Sequence, residues 1–89
     1  MAIEREIVVK NREGLHFRPI MQFVDTASRF TSRVAVRCND READGRSPME
    51  LLMLVATQAT RVVILTDGPD EAAAAEALAK LFETGFGEA

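Results

Sequence analysis

Two of the three prolines in this 89-residue chain follow a break in hydrophobic period, and each pins the start of a helix. Proline lacks a backbone N–H and its ring crowds the preceding turn, so a helix accepts it only near its beginning. Pro19 lies in the run Phe17, Ile20, Met21, Val24, Ala27 and Ser28, which follows helical spacing. The spacing predicts a helix from Phe17 to about Arg29, with His16 at the N-cap or beside it. Pro48 stands between Ser47 and Met49-Glu50. That tetrad combines a capping serine, a proline at the first helical position and the glutamate of a capping box. Residues 51–55 are apolar all round, so this second helix is either buried or leaves one face for a partner.

Outside these helices the period falls to two in several segments. Ile3 to Lys10 reads as a strand with Ile3, Arg5, Ile7 and Val9 on one face and Glu4, Glu6 and Val8 on the other. Asn11-Arg12-Glu13-Gly14 is a turn. Arg33 to Cys38 alternates as a half-buried strand, Asn39-Asp40 is a turn, and Glu42-Ala43-Asp44 is a short returning strand. Arg61 to Thr66 carries Val62-Val63-Ile64-Leu65 and reads as a central strand. Asp67 to Asp70 is a break. Ala72 to Phe82 is an alanine-rich helix with Ala74, Ala77, Leu78, Leu81 and Phe82 toward the core, ended by Gly85 and Gly87. The order is βαββαβα. It predicts an α+β fold, an open-faced two-layer sandwich with a four-stranded antiparallel sheet and helices on one face, as a single domain over residues 1–89.

Composition removes several classes of function. The net charge of −3 argues against nonspecific nucleic-acid binding, which depends on neutralising phosphates. Cys38 is the only cysteine and His16 the only histidine, so neither an internal disulfide nor a Cys/His zinc site can form. Cys38 reads as a small buried hydrophobe. No apolar run is long enough to span a membrane, and the first residues lack the pattern of a signal peptide. The expectation is a cytoplasmic protein.

His16 is the residue with chemical promise. Gly14 precedes it, the helix pinned by Pro19 follows it, and Arg12 and Arg18 flank it. A lone histidine at such a place reads either as a surface residue or as a nucleophile. In the second reading the imidazole accepts a phosphoryl group, whose charge is offset by the unpaired N–H groups of the helix end and by Arg18. The helix end contributes about 0.3–2 kcal/mol, modest enough for the group to be released again. Ser47 reads as a capping residue or as a regulatory phosphosite, since a phosphate at a helix N-terminus is tolerated there. Met49 and Met53 share one helix face, suited to core packing or to an adaptable docking surface.

Gly14-Leu15-His16-Phe17-Arg18-Pro19 resembles the GLHARP motif of the histidine-containing phosphocarrier (HPr) family of the bacterial phosphotransferase system. Arg46-Ser47-Pro48-Met49, with its serine thirty-one residues after His16, resembles that family's regulatory-serine motif, usually Lys-Ser-Ile-Met. Phe30-Thr31-Ser32 and Gly68-Pro69-Asp70-Glu71 also fit, and the resemblance covers nearly the whole chain. It implies a stoichiometric carrier without cofactor or metal, rather than an enzyme. By resemblance, His16 takes a phosphoryl group from enzyme I, which draws on phosphoenolpyruvate, with the help of Arg18. The group then passes to IIA domains. Ser47 matches the serine modified by HPr kinase/phosphorylase, and Phe17, Pro48, Met49 and Leu52 fall on the partner-binding patch. A monomer is the simplest state for a carrier that visits several partners.

The sequence also departs from the family pattern. Phe17 replaces a small alanine, Pro48 an apolar residue, and Glu50 a frequent glycine. Val55 and Ala59 stand where glycines are usual, which predicts a more helical loop after the second helix. These departures leave open an alternative, a regulatory module controlled mainly through Ser47 without a role in sugar uptake. A freestanding enzyme with His16 as general base lacks a convincing second catalytic group.

Overall fold

The computed structural model describes residues 2–88. Four strands, β1 (Ile3–Val8), β2 (Arg33–Cys38), β3 (Arg41–Asp44) and β4 (Arg61–Asp67), form one sheet in the order β1-β4-β2-β3. All three pairings are antiparallel. The helices are α1 (Phe17–Ala27), α2 (Pro48–Leu52) and α3 (Glu71–Glu83), followed by a 3-10 turn over Gly85–Gly87. This is the open-faced α+β sandwich that the order of periods predicts.

The register explains why one face of the sheet is covered. Ile7 pairs with Val62, and Val36 with both Ile64 and Ala43, so these residues stand side by side. They are buried together with Val34, Cys38, Ile20, Phe23, Leu51, Leu78 and Phe82 in one core. Their neighbours in sequence, among them Glu4, Glu6, Val8 and Arg37, face solvent. Arg5, on the core side at the sheet edge, escapes burial by pairing with Glu76 and Glu83 of α3 at 3.3 and 3.7 Å. The first strand ends its regular course at Val8 rather than Lys10. Pairing nevertheless continues through Val9, which donates to the Thr60 carbonyl and accepts from the Ala59 N–H.

Both prolines sit in the first turn of their helices. The buried stripe of α1, however, is Pro19, Ile20, Phe23 and Ala27. Phe17 and Ser28, which share its spacing in the sequence, are exposed, Phe17 by 71%. At the head of α2 the Ser47 hydroxyl accepts the Glu50 N–H at 3.2 Å, as the motif predicts. The reciprocal half of the box does not form, because the Glu50 carboxylate accepts the Asp44 N–H instead.

The loop after α2 corrects a second expectation. The helix stops at Leu52, and Val55 and Ala59 adopt φ of 54° and 72°. The backbone keeps a left-handed course without glycine, at a cost for a β-branched residue above all. Asn39 and Asp40, at φ 52° and 62°, form the hairpin turn between β2 and β3, where these residue types are at home.

Two polar clamps hold the end of α1. The Arg46 guanidinium donates through one nitrogen to the carbonyls of Ala27, Phe30 and Ser32 at 2.7–3.0 Å. The Asp70 carboxylate accepts from the Ser32 hydroxyl and from the Thr31 and Ser32 N–H groups, stitching this loop to the start of α3.

Two predictions follow from these local features. The Ser32 hydroxyl, aided by the Thr31 N–H, holds the Asp70 carboxyl down from 3.8 to about 2. A depressed carboxyl contributes stability above its ordinary value and loses it as pH falls through the folded one. Acid titration of chemical stability is therefore expected to drop between about pH 4 and pH 2, and Asp70→Asn to flatten that drop and lower stability at neutral pH. Val55→Gly is expected to raise stability by about 0.5–1.5 kcal/mol in urea unfolding, relief of left-handed strain outweighing the added chain entropy.

Candidate functional site

The segment before α1 is shaped by Gly14. Its φ is +71°, and a Cβ there would lie 2.5 Å from the Ala56 carbonyl oxygen, so no other residue fits without movement. The tight approach lets Leu15 N–H donate to that carbonyl at 2.8 Å, which anchors the loop to residue 56. Asn11, fully buried, braces it from behind by donating to the Gly14 carbonyl at 2.6 Å.

His16 is the N-cap of α1, in extended backbone conformation, and its carbonyl accepts the Ile20 N–H. Its side chain makes no capping bond. Since Pro19 has no N–H, the donors of this helix end without a backbone partner among the described residues are the Phe17 and Arg18 N–H groups. Arg12, Glu13, Arg18 and Glu88 line the same depression as His16. Among the described residues neither Arg12 nor Arg18 forms an ion pair, which leaves both guanidinium groups available to an anion.

One partner of the ring escapes any reading of the sequence. His16 Nε2 lies 2.9 and 3.0 Å from the two carboxylate oxygens of Glu88. Asn11 donates to the same carboxylate at 3.1 Å. The hydrogen bond to His16, then the one from Asn11 and the charges of His16 and Arg18, hold the Glu88 carboxyl below the usual range against its partial desolvation. Seventy-two residues separate Glu88 from His16, and its only local signal is the pair of glycines around Phe86 that turns the chain back.

The remaining sequence candidates divide into two places. Leu52 reaches a shallow depression that it shares with His16, Leu15 and Val55. Phe17 adjoins His16 along the chain. Met49, Leu52, Met53 and Val55 are exposed by 54–72%, while Leu51 and Leu54 turn into the core. The apolar run of α2 is therefore split between core and surface. Ser47 and Pro48 lie at the far end of α2, where the local polar partners are Asp44, Arg46 and Glu50 rather than His16. Among the described residues no three acidic, histidine or cysteine side chains cluster as metal ligands. No helix among them is long and apolar enough to cross a membrane.

Chemically the site offers an imidazole with one nitrogen tied to a carboxylate, two guanidinium groups and two backbone donors. That set suits a dianion brought to the ring. The family model for the PTS HPr component phosphorylation site matches residues 3–84. Phosphocarrier protein HPr of Neisseria meningitidis serogroup B is 43% identical over 97% of both chains. The crystal structure of HPr from Thermoanaerobacter tengcongensis superposes with a TM-score of 0.93 at 38% identity, covering 98% of each chain. Crh, the Bacillus subtilis catabolite repression protein, does so at 0.76 with 31% identity, over 93% of this chain and 95% of its own. The chain belongs to the HPr family of phosphocarrier proteins of the phosphotransferase system.

Proposed function

We propose that this chain carries a phosphoryl group on His16, taken from enzyme I and handed to IIA-type acceptors, without turning over a substrate of its own. The observation that carries this reading is the His16 imidazole at the N-terminus of α1, free of any capping duty and beside the Arg12 and Arg18 guanidinium groups, neither of which forms an ion pair among the described residues. In the transfer, the bond between phosphorus and the donor's nitrogen breaks as the bond to His16 forms. The donor keeps its electron pair, and no proton need leave the attacking nitrogen. Arg18 and the Phe17 and Arg18 N–H groups meet the phosphoryl oxygens. Part of this help is screened by solvent, which suits a group that must be passed on.

Docking falls to the apolar surface around the ring. Phe17, Met49 and Leu52 are exposed apolar residues on the two helices, and Pro48 extends the patch along α2. Met is adaptable, and the apolar residues stand beside the charged rim of Arg12, Glu13, Arg18 and Glu88, which fits a surface used by more than one partner. Ser47 is the regulatory position in this reading, a substrate for HPr kinase/phosphorylase. A phosphate on its oxygen retains an acceptor for the Glu50 N–H, so α2 persists while the docking face gains negative charge. Crh, a catabolite repression protein of the same fold, favours a second reading in which Ser47 is the principal output and sugar uptake plays no part.

Intact mass measurement separates these readings. Incubation with enzyme I and phosphoenolpyruvate is expected to add one phosphoryl group, labile to acid and stable to alkali. His16→Ala is expected to abolish it, and labelling of that variant at the parent level would sink the carrier reading. With HPr kinase and ATP, one alkali-labile phosphoserine is expected, absent in Ser47→Ala. An unmodified parent chain would remove Ser47 from the regulatory role.

A further inference from the structure

We infer that Glu88 is the positioning residue of His16: it fixes the proton on Nε2, presents Nδ1 as the attacking atom and balances the charge the ring acquires on phosphorylation. This rests on the carrier reading of His16.

The contact is built rather than incidental. The chain reverses after α3 through Gly85, Phe86 and Gly87, all at positive φ. Phe86 takes that conformation without being glycine, and its ring is buried, 4.8 Å from Phe82 in an edge-on contact. Gln22 of α1 donates to the Phe86 carbonyl at 3.3 Å. The Glu88 N–H closes the turn on the Gly85 carbonyl at 2.9 Å. Asn11 then grips the Glu88 carboxylate with the amide that also holds the Gly14 carbonyl. One amide thus locks the loop that carries His16 to the carboxylate that faces it. The Glu88 side chain is 17% exposed against 38% for His16, so the carboxylate is the more sheltered partner.

The chemistry follows from the atoms. A carboxylate with a depressed pKa only accepts hydrogen bonds, so the nitrogen against it carries hydrogen. In the neutral ring the lone pair is then on Nδ1. When Nδ1 bonds to phosphorus and the donor nitrogen leaves with its electron pair, the ring retains its Nε2 hydrogen and becomes a phosphoimidazolium. Glu88 offsets that positive charge where it arises, in a preformed contact. A protonated ring is also the better leaving group in the onward transfer, so the same carboxylate serves both directions.

The test uses the full chain with Glu88→Ala, two phosphoryl donors and nitrogen NMR of the His16 ring. The donors are phosphorylated enzyme I and potassium phosphoramidate, which needs no protein docking. In the parent the ring is expected to show hydrogen on Nε2, and in the variant this preference is lost. Phosphorylation of the variant is expected to slow about tenfold with both donors, in line with removal of a carboxylate that orients a histidine. The NMR spectrum reports in the same sample that the variant is folded. Parent-like rates, an unchanged tautomer, or slowing confined to enzyme I would overturn the role of Glu88, the last by making it a docking residue. A parent chain that neither donor phosphorylates on His16 would instead overturn the carrier reading.

Discussion

The edge-on contacts of Phe82 hold the molecule's two functions of folding and presentation together. Its ring meets Phe23 of α1 at 6.0 Å and Phe86 of the final turn at 4.8 Å. All three are buried in a core that has neither Trp nor Tyr to share the load. Aromatic pairs in this geometry add to the simple removal of area from water. Through Phe23 the contact seats α1 on the sheet and thereby sets the direction of its N-terminus. Through Phe86 it seats the turn that delivers Glu88. The two halves of the His16 environment, from opposite ends of the chain, meet because both are attached to the same ring.

Much of the architecture was legible in the residues because local chemistry and global packing agree. Pro19 and Pro48 mark helix starts that the tertiary structure has no reason to move. The alternation in Arg33 to Cys38 and the apolar run after Arg61 survive as β2 and β4. Reading failed where a local rule had two solutions. Phe17 lies on the same helical spacing as Ile20, yet the buried stripe runs through Pro19, Ile20, Phe23 and Ala27 and leaves Phe17 outside it. Val55 and Ala59 lack the usual residue for a left-handed backbone. The loop stays left-handed because pairing with Val9 and anchorage of Leu15 at Ala56 demand that path. Tertiary hydrogen bonds here override propensity.

The site was legible in part for the same reason. His16, Arg18 and Gly14 are neighbours in sequence, and a helix N-terminus is a local object. Asn11 reads only as a turn residue until its amide is seen gripping both the Gly14 carbonyl and Glu88. Glu88 belongs to the site through a contact between distant segments, and no spacing rule reaches that far. Ser47 and Glu50 show the opposite case. Their motif is local and the capping bond forms, but Glu50 finds a better donor in the Asp44 N–H on a neighbouring strand.

The strand order has a consequence for how the chain comes to be folded. β1 lies beside β4 alone, so the first strand has no sheet neighbour until residues 61–67 exist. On a ribosome, Ile3–Val8 emerges well before residues 61–67 and waits for them. Only the β2–β3 hairpin and the helices α1 and α2 can gather from nearby residues in the meantime. Pairing across so long a loop is paid in chain entropy before contacts repay it, which puts folding in the slower range for mixed α/β domains. The alternating charges Glu4, Arg5 and Glu6 suit a strand that must remain in water unaccompanied, since charge along an unpaired edge discourages association with other chains.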